Sequence, residues 1–303
     1  MPTRNLKIVI ITATHPRHLN LCGSLADKWD LVGVLHPKRP PNRPSRRLSK
    51  LYRQAKSQGL PLALLRLLGV MGREKPGSAQ HALEAKLFSA GAERYGRLPP
   101  EIIHADVNVQ DPATVNLIRR LNPDVTLCLG GPIYPRTLIS ASPLTLNFHS
   151  GISPLYNGSS SIDFAFAYGH PHCCGGTLMK MNETIDGGEI LAHYLPSIEK
   201  GDSALSLFAK TVAAAPLMYE NVLQSLASHP QTPISSIPQP NPYTYTRSYQ
   251  FGWYHSAMAR KHAKEALVAK HLRTEVVSEY WNIRDPVAAR DACRKFVLNL
   301  VWP

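Results

Sequence analysis

Short apolar runs and helix-period stretches alternate along the first half of the chain, and their order predicts an α/β sheet. Lys7–Thr12 (KIVIIT) is a continuous apolar run, as a strand buried on both faces requires. Leu31–Leu35, Glu101–Val107, Asp124–Leu129 and Ile190–His193 repeat the pattern. Leu144, Leu146 and Phe148 instead alternate with Thr145, Asn147 and His149, the two-residue period of a half-buried strand. Between these runs, Leu19–Trp29 and Asp111–Leu121 suit helices, the latter starting near Asp111-Pro112 because proline is tolerated in a first turn. A longer helix is predicted from an N-cap at Asp202 or Ser203 to about Leu226, kinked at Pro216. The β-α-β order predicts an open, mainly parallel sheet flanked by helices.

Two segments break the alternation. His36–Pro44 carries four prolines, which no regular element accommodates. Beyond it Leu48, Leu51, Tyr52 and Ala55 fall at helical spacing, and residues 62–68 (LALLRLL) form a short apolar helix candidate. The whole stretch of about 36–99 reads as an insertion between strands. Gln231–Pro242 has four more prolines and is expected to be a linker or an extended arm across the surface. The expected organisation is therefore a domain over 1–228 with that insertion, then a proline-rich linker and helical C-terminal extension over 229–303. In the extension Tyr243, Tyr245, Tyr249, Phe251, Trp253 and Tyr254 crowd together before a basic helix candidate, Ala257–Leu272, and an apolar end, FVLNLVWP. Aromatic rings beside a basic helix can stack on RNA, but anchoring a tail to its domain is the favoured reading.

Composition narrows the classes. A hydrophobic content of 44% supplies a core, yet no apolar run reaches the ~18 residues of a membrane span. The start, MPTRNLKIVIITAT, reads as a first strand with a basic lead and not as a signal peptide. Cys22, Cys128, Cys173, Cys174 and Cys293 are odd in number and lack metal-ligand spacing, so reduced thiols in a cytoplasmic protein with no metal site are expected. The net charge of +13 is concentrated. Residues 36–75 hold eleven Lys or Arg against one acid, Glu74. Such a block can be a solvated face, a small-molecule anion site or a nucleic-acid footprint, in that order of preference. The loop after the first strand, Ala13–His18, has no G-x-G-x-x-G, so a dinucleotide site is not supported. His15, Arg17 and His18 are candidates to meet an anionic substrate group.

The candidate chemistry lies in residues 144–191. Asn147 and His149 share one face at the end of a strand, where open sheets keep their sites. Asp186 precedes a Gly-Gly turn thirty-seven residues after His149. This stretch resembles the folate-dependent formyltransferases, the family of glycinamide ribonucleotide transformylase and methionyl-tRNA formyltransferase. Their N-x-H, P-x-Y-x-G, G-x-T and D-x-G motifs correspond in order and spacing to Asn147-Phe148-His149, Pro154–Gly158, Gly175–Thr177 and Asp186–Gly188. The resemblance covers about residues 5–225. It implies a Rossmann-like formyltransferase fold and transfer of the formyl group of 10-formyltetrahydrofolate to a primary amine through a tetrahedral intermediate. Asn147 would donate to the oxyanion, His149 would move protons and Asp186 would orient the imidazole and favour its protonated form. The G-x-I-x-P loop, here Gly131, Ile133 and Pro135, and Thr184 and Ile185 would hold the folate.

Three departures concern the acceptor. Met179 stands where most relatives have a second histidine, Ser150–Ser153 is not the usual proline-serine run, and Asn157 replaces a frequent arginine. The tail shows no alternating runs of a C-terminal β-barrel, which lowers tRNA as acceptor. A small amine is expected, anionic ones among the candidates, such as an amino sugar or a specialised metabolite. Nucleic acid and membrane partners are disfavoured, and a homo-oligomer stays open. The alternatives are a deformylase, with water as acceptor, and a basic nucleic-acid or anion-binding protein.

Overall fold

In the computed structural model, which describes residues 5–38, 52–53, 55–56, 61, 78–264 and 267–301, the chain begins with β1 (Lys7–Thr12), α1 (Pro16–Ala26) and β2 (Asp30–Pro37). The helix candidates at Leu48–Ala55 and 62–68 fall almost wholly outside the described residues. The stretch expected as an insertion ends in regular structure. Its last part is the crossover helix α2 (Ser78–Tyr95), which leads into β3 (Ile103–Val107). Helix α2 lies against α1, so close that a Cβ on Gly23 would meet the Gly91 carbonyl. A parallel connection needs such a crossover, and α2 supplies its helix.

The chain continues through α3 (Pro112–Leu121), β4 (Val125–Leu129), α4 (Arg136–Ile139) and β5 (Leu144–His149). Asp111 caps α3, its carboxylate accepting from the Ala113 N–H at 2.9 Å. Strands β3, β2, β1, β4 and β5 pair in parallel in that order. Alternate residues of β1 serve two layers. Ile8 and Ile10 join the core under α1, whereas Val9 and Ile11 pack with Val115, Ile118 and Leu138 of α3 and α4. A chain buried on both faces shows no alternation, which is why KIVIIT is apolar throughout.

After β5 come β6 (Tyr156–Gly158), α5 (Ser161–Ala167), β7 (Gly176–Lys180) and β8 (Ile190–Leu195). Strand β7 pairs antiparallel with β5, and β8 antiparallel with β7. The predicted long helix is two helices, α6 (Ala204–Ala213) and α7 (Ala215–Ser228), which meet at Ala214. Pro216 sits in the first turn of α7, where its missing N–H costs nothing, so the chain restarts there instead of kinking. Ser203 caps α6 through a reciprocal pair of bonds with Ser206 (3.2 and 2.8 Å). Ser203→Ala is expected to lower unfolding stability by about 1 kcal/mol, measured as a shift in urea midpoint at constant slope.

The tail returns to the body. Strand β9 (Thr244–Thr246) pairs with β6, helix α8 (Trp253–Lys264) follows, and β10 (Val276–Glu279) pairs antiparallel with β8 to complete an eight-stranded sheet among the described residues. Helix α9 (Pro286–Val301) ends the described chain. Among the described residues the tail is therefore helical at Trp253–Lys264 and Pro286–Val301, with a 3-10 turn at Leu267–His271 and a strand at Val276–Glu279. Free edge groups on β8 made that four-residue pairing, which has no local signature. Phe251 packs edge-to-face on Phe164 of α5 at 5.1 Å, so part of the aromatic cluster anchors the tail. No described helix is long and apolar enough to cross a membrane.

Candidate active site

The carboxyl ends of β1, β4 and β5 open on one cleft of about 720 Å³, within the size range of small-molecule sites. Connections leave β1 and β4 in opposite directions along the sheet, the switch point at which open α/β sheets hold ligands.

Strand β5 places Asn147 and His149 in the cleft on the same face. Asn147 lies opposite Met179 across the β5–β7 pair, so its neighbour is an apolar, buried side chain in place of a second histidine. The Asn147 amide makes no side-chain hydrogen bond among the described residues and remains available to the cleft. His149 is 7% exposed and is held at both ring nitrogens. Nε2 lies 3.1 Å from the Tyr156 carbonyl oxygen, and Nδ1 lies 3.4 Å from Asp186 Oδ1. A carbonyl only accepts, so Nε2 carries a proton. The Asp186 carboxylate faces Nδ1 as a charge contact. Ser161 Oγ, 3.4 Å from Nε2, donates to Gly158 O at 3.2 Å. The geometry thus sets an imidazole beside a carboxylate.

Asp186 reaches this position from the turn between β7 and β8. Its backbone is left-handed at φ 51°, a conformation that a short polar side chain tolerates better than most. Its second oxygen, Oδ2, accepts from the Gly158 N–H at 2.9 Å. Its own carbonyl accepts from Asn157 Nδ2 at 2.7 Å and Gln239 Nε2 at 2.9 Å. Thr177, the last residue of G-x-T, pins the loop after His149, donating to Gly151 O at 2.7 Å and accepting from Ser153 N at 2.9 Å.

Gly151 faces the imidazole with no room for a side chain between them. A Cβ there would fall on His149 Nε2 and lie 2.5 Å from the Tyr156 carbonyl oxygen. Gly151→Ala is therefore expected to displace the ring and reduce turnover by about 100-fold. Circular dichroism and thermal unfolding check that the fold is retained.

Of the residues expected to hold the folate, Gly131, Ile133, Thr184 and Ile185 line the cleft. Pro135 does not, and instead caps the short helix α4. Ile133 and Ile185 are 61% and 41% exposed and present apolar surface to the cleft. Arg17 and His18, at the start of α1, also line the cleft. Thr12 Oγ1 donates to Leu129 O at 2.9 Å, so His18 Nδ1 donates to Thr12 at 2.7 Å. Burial, reinforced by the Arg17 charge, pushes the His18 pKa down to about 3. His18 is neutral near pH 7 and supplies no cation to an anion. Arg17 stays charged, its guanidinium over the Phe208 ring at 5.5 Å.

Sequence reasoning missed Asn157 as a partner of Asp186, Gln239, and the Tyr156 carbonyl. The P-x-Y-x-G match pointed at the segment. Nothing local pointed at Gln239.

A family described as formyl transferase matches residues 48–223, more than half of the chain. The methionyl-tRNA formyltransferase of a Nitratiruptor species is 31% identical over 129 residues, which are 40% of this chain and 42% of that protein's length. Among solved structures, a sugar N-formyltransferase from Shewanella sp FDAARGOS_354 is 15% identical over 82% of this chain and 79% of its own, with a TM-score of 0.51. A 4-N formyltransferase from Francisella tularensis is 13% identical over the same shares, also at 0.51. At such identities the two structures establish the shared fold. With the motif residues gathered in one cleft and more than half of the chain matched, the protein belongs to the formyl transferase family.

Proposed function

We propose that the chain transfers a formyl group from 10-formyltetrahydrofolate, the donor used by this family, to a primary amine of a small anionic acceptor. The observation that carries this reading is the His149–Asp186 pair at 3.4 Å beside an Asn147 amide available to the cleft. The donor fits the residues present. The exposed side chains of Ile133 and Ile185, with Leu129, Met179 and Met181, give the cleft apolar walls for a flat ring. Gly131 and Thr184 complete that surface. Pro135 acts indirectly, by starting α4 behind the loop.

Bound there, 10-formyltetrahydrofolate supplies the carbon that the amine takes. The nitrogen–carbon bond to the amine forms and the bond to the donor's nitrogen breaks, so one proton leaves the amine and one reaches the leaving nitrogen. Asn147 donates to the oxygen that becomes negative as the amine adds, a donor worth about 3 kcal/mol at such a position. The proton traffic falls to the His149–Asp186 pair. Asp186 accepts from the amine side, and the imidazolium it holds is the acid for the leaving nitrogen.

The remaining lining supports the acceptor class. Arg17 and Arg247 bring cations, Arg247 over the Tyr245 ring at 5.5 Å, and Ser159, Ser160 and Ser248 bring hydroxyls. An amino sugar bearing a phosphate suits that lining, and the Shewanella protein that shares the fold is named for a sugar acceptor. The test is single-turnover loss of 10-formyltetrahydrofolate with and without a panel of amino sugars and their phosphates. Amine-dependent consumption supports the reading, and amine-independent formate release makes the protein a deformylase. Absence of donor binding by calorimetry overturns both.

A further inference from the structure

The proline-rich segment 231–242 crosses the turn that carries Asp186, and its contacts there are specific. Ile237 exchanges both backbone hydrogen bonds with Ile190 at the start of β8 (2.8 and 2.9 Å). Ser236 Oγ donates to Glu189 Oε2 at 2.5 Å, and Lys180 Nζ donates to Ile234 O at 3.2 Å. Tyr243 N then donates to Pro154 O at 2.9 Å, which leads the chain into β9. The segment is thus a strap laid over Asp186–Glu189.

Gln239 is the residue of the strap that meets the turn. Its Nε2 donates to the carbonyls of Asp186 (2.9 Å) and Gly188 (2.5 Å), while its Oε1 accepts from Asn157 Nδ2 at 3.1 Å. Asn157 Nδ2 donates to the same Asp186 carbonyl at 2.7 Å. One carboxamide therefore uses both of its donor hydrogens on the turn and its acceptor on the side chain that shares it. Within the turn, Asn182 Nδ2 donates to Gly187 O at 2.9 Å and Gly187 N–H to Thr184 O at 3.2 Å, but these bonds leave the Asp186 and Gly188 carbonyls to Asn157 and Gln239.

We propose that Gln239 is a positioning residue that holds the Asp186 backbone so that its carboxylate spans His149 Nδ1 and the Gly158 N–H. The proposal rests on Asp186 serving the site as described above. It places a residue from beyond the matched family segment, which ends at 223, inside the working site. Without the Gln239 amide, the Gly188 carbonyl loses its partner and the Asp186 carbonyl keeps only Asn157, which itself loses the Gln239 acceptor, so the turn rotates and the carboxylate leaves both contacts.

The Gly158 amide proton is the direct reporter, because a hydrogen bond to a carboxylate draws an amide resonance downfield. Its shift is to be measured by heteronuclear NMR in the full chain for wild type, Asp186→Ala, Gln239→Ala, Gln239→Glu and Ile237→Ala. Gln239→Glu keeps the shape but cannot donate when ionised, and Ile237→Ala weakens strap docking alone. In both Gln239 variants the resonance is expected to move most of the way to its position in Asp186→Ala. Ile237→Ala is expected to lower the melting temperature and leave the resonance in place. Formyl transfer in the Gln239 variants is expected to fall about 10- to 100-fold in kcat with the KM for the donor unchanged. An unmoved Gly158 resonance in Gln239→Ala overturns the proposal, as does an equal displacement in Ile237→Ala. The NMR measurement needs no substrate, so a chain that transfers no formyl group yet shows the displacement refutes the proposed activity and leaves the positioning role standing.

Discussion

His149→Ala is expected to lose about 10³- to 10⁴-fold in single-turnover formyl transfer, the size of a positioned acid–base group together with its charge. Asp186→Asn should lose nearly as much, for a reason visible in the hydrogen bonds. The Tyr156 carbonyl, at 3.1 Å, keeps a proton on Nε2 whatever stands at position 186. An amide at 186 can still accept from the Gly158 N–H with its oxygen, which turns its NH₂ toward His149 Nδ1. Nδ1 must then accept, and the ring is locked in the neutral form with no proton to pass on. The two residues act as one unit, so the double variant is expected to lose little more than either single variant. Kinetics of the four proteins check this. Additive losses, or more than about a tenth of wild-type turnover in His149→Ala, would mean that the chemistry lies elsewhere.

The second large effect is on stability. His193 of β8 is fully buried, its Nε2–H donating to Ser153 O at 2.7 Å and its Nδ1 accepting from the Tyr280 hydroxyl at 2.9 Å. The Phe296 ring stacks on it at 4.7 Å. Burial pushes its pKa down to about 4 from an ordinary 6.5. The folded chain keeps this ring neutral while the unfolded chain protonates it, so the unfolded state binds more protons in this interval. Stability is therefore full above pH 6.5 and falls as pH drops, levelling off once the folded ring also protonates near pH 4. One such group is worth about 3 kcal/mol over that window. His18, lowered to about 3, acts in the same direction. Urea midpoints at pH 7, 6 and 5 are expected to decline in the wild type. His193→Gln should start lower at pH 7 but decline less. Equal slopes in the two proteins would remove His193 as the source.

Local physics made much of this protein legible. A strand buried on both faces must be apolar throughout and a half-buried one must alternate, so KIVIIT and LTLNFH announce themselves. A helix start needs a cap, so Asp111 and Ser203 mark α3 and α6. The N-x-H and D-G-G motifs are also local, and the expectation that an amide, an imidazole and a carboxylate would meet came from their order and spacing together with the family resemblance. Pro216 was read as a kink, but its missing N–H allowed a cleaner break once α6 and α7 each had a core face to cover.

What tertiary structure decided depends on partners far apart in the chain. Val276–Glu279 became a strand because β8 offered an open edge, and Thr244–Thr246 because β6 did. Neither three nor four residues carry a period long enough to read. The strap over Asp186 is the clearest case, since prolines at 233, 238, 240 and 242 exclude any regular element and leave a single backbone bridge, at Ile237, and side chains to fix its course. Gln239 has no motif around it. Its role follows from the two carbonyls and one amide that the folded turn presents, a donor–acceptor pattern that exists only after residues 157, 186 and 188 have come together. The sequence by itself determined which chemical groups the site would contain and the sheet that carries them. The folded chain decided which groups face the two nitrogens of His149 and how Asp186 is held, because hydrogen-bond complementarity is a property of assembled surfaces and not of any one segment.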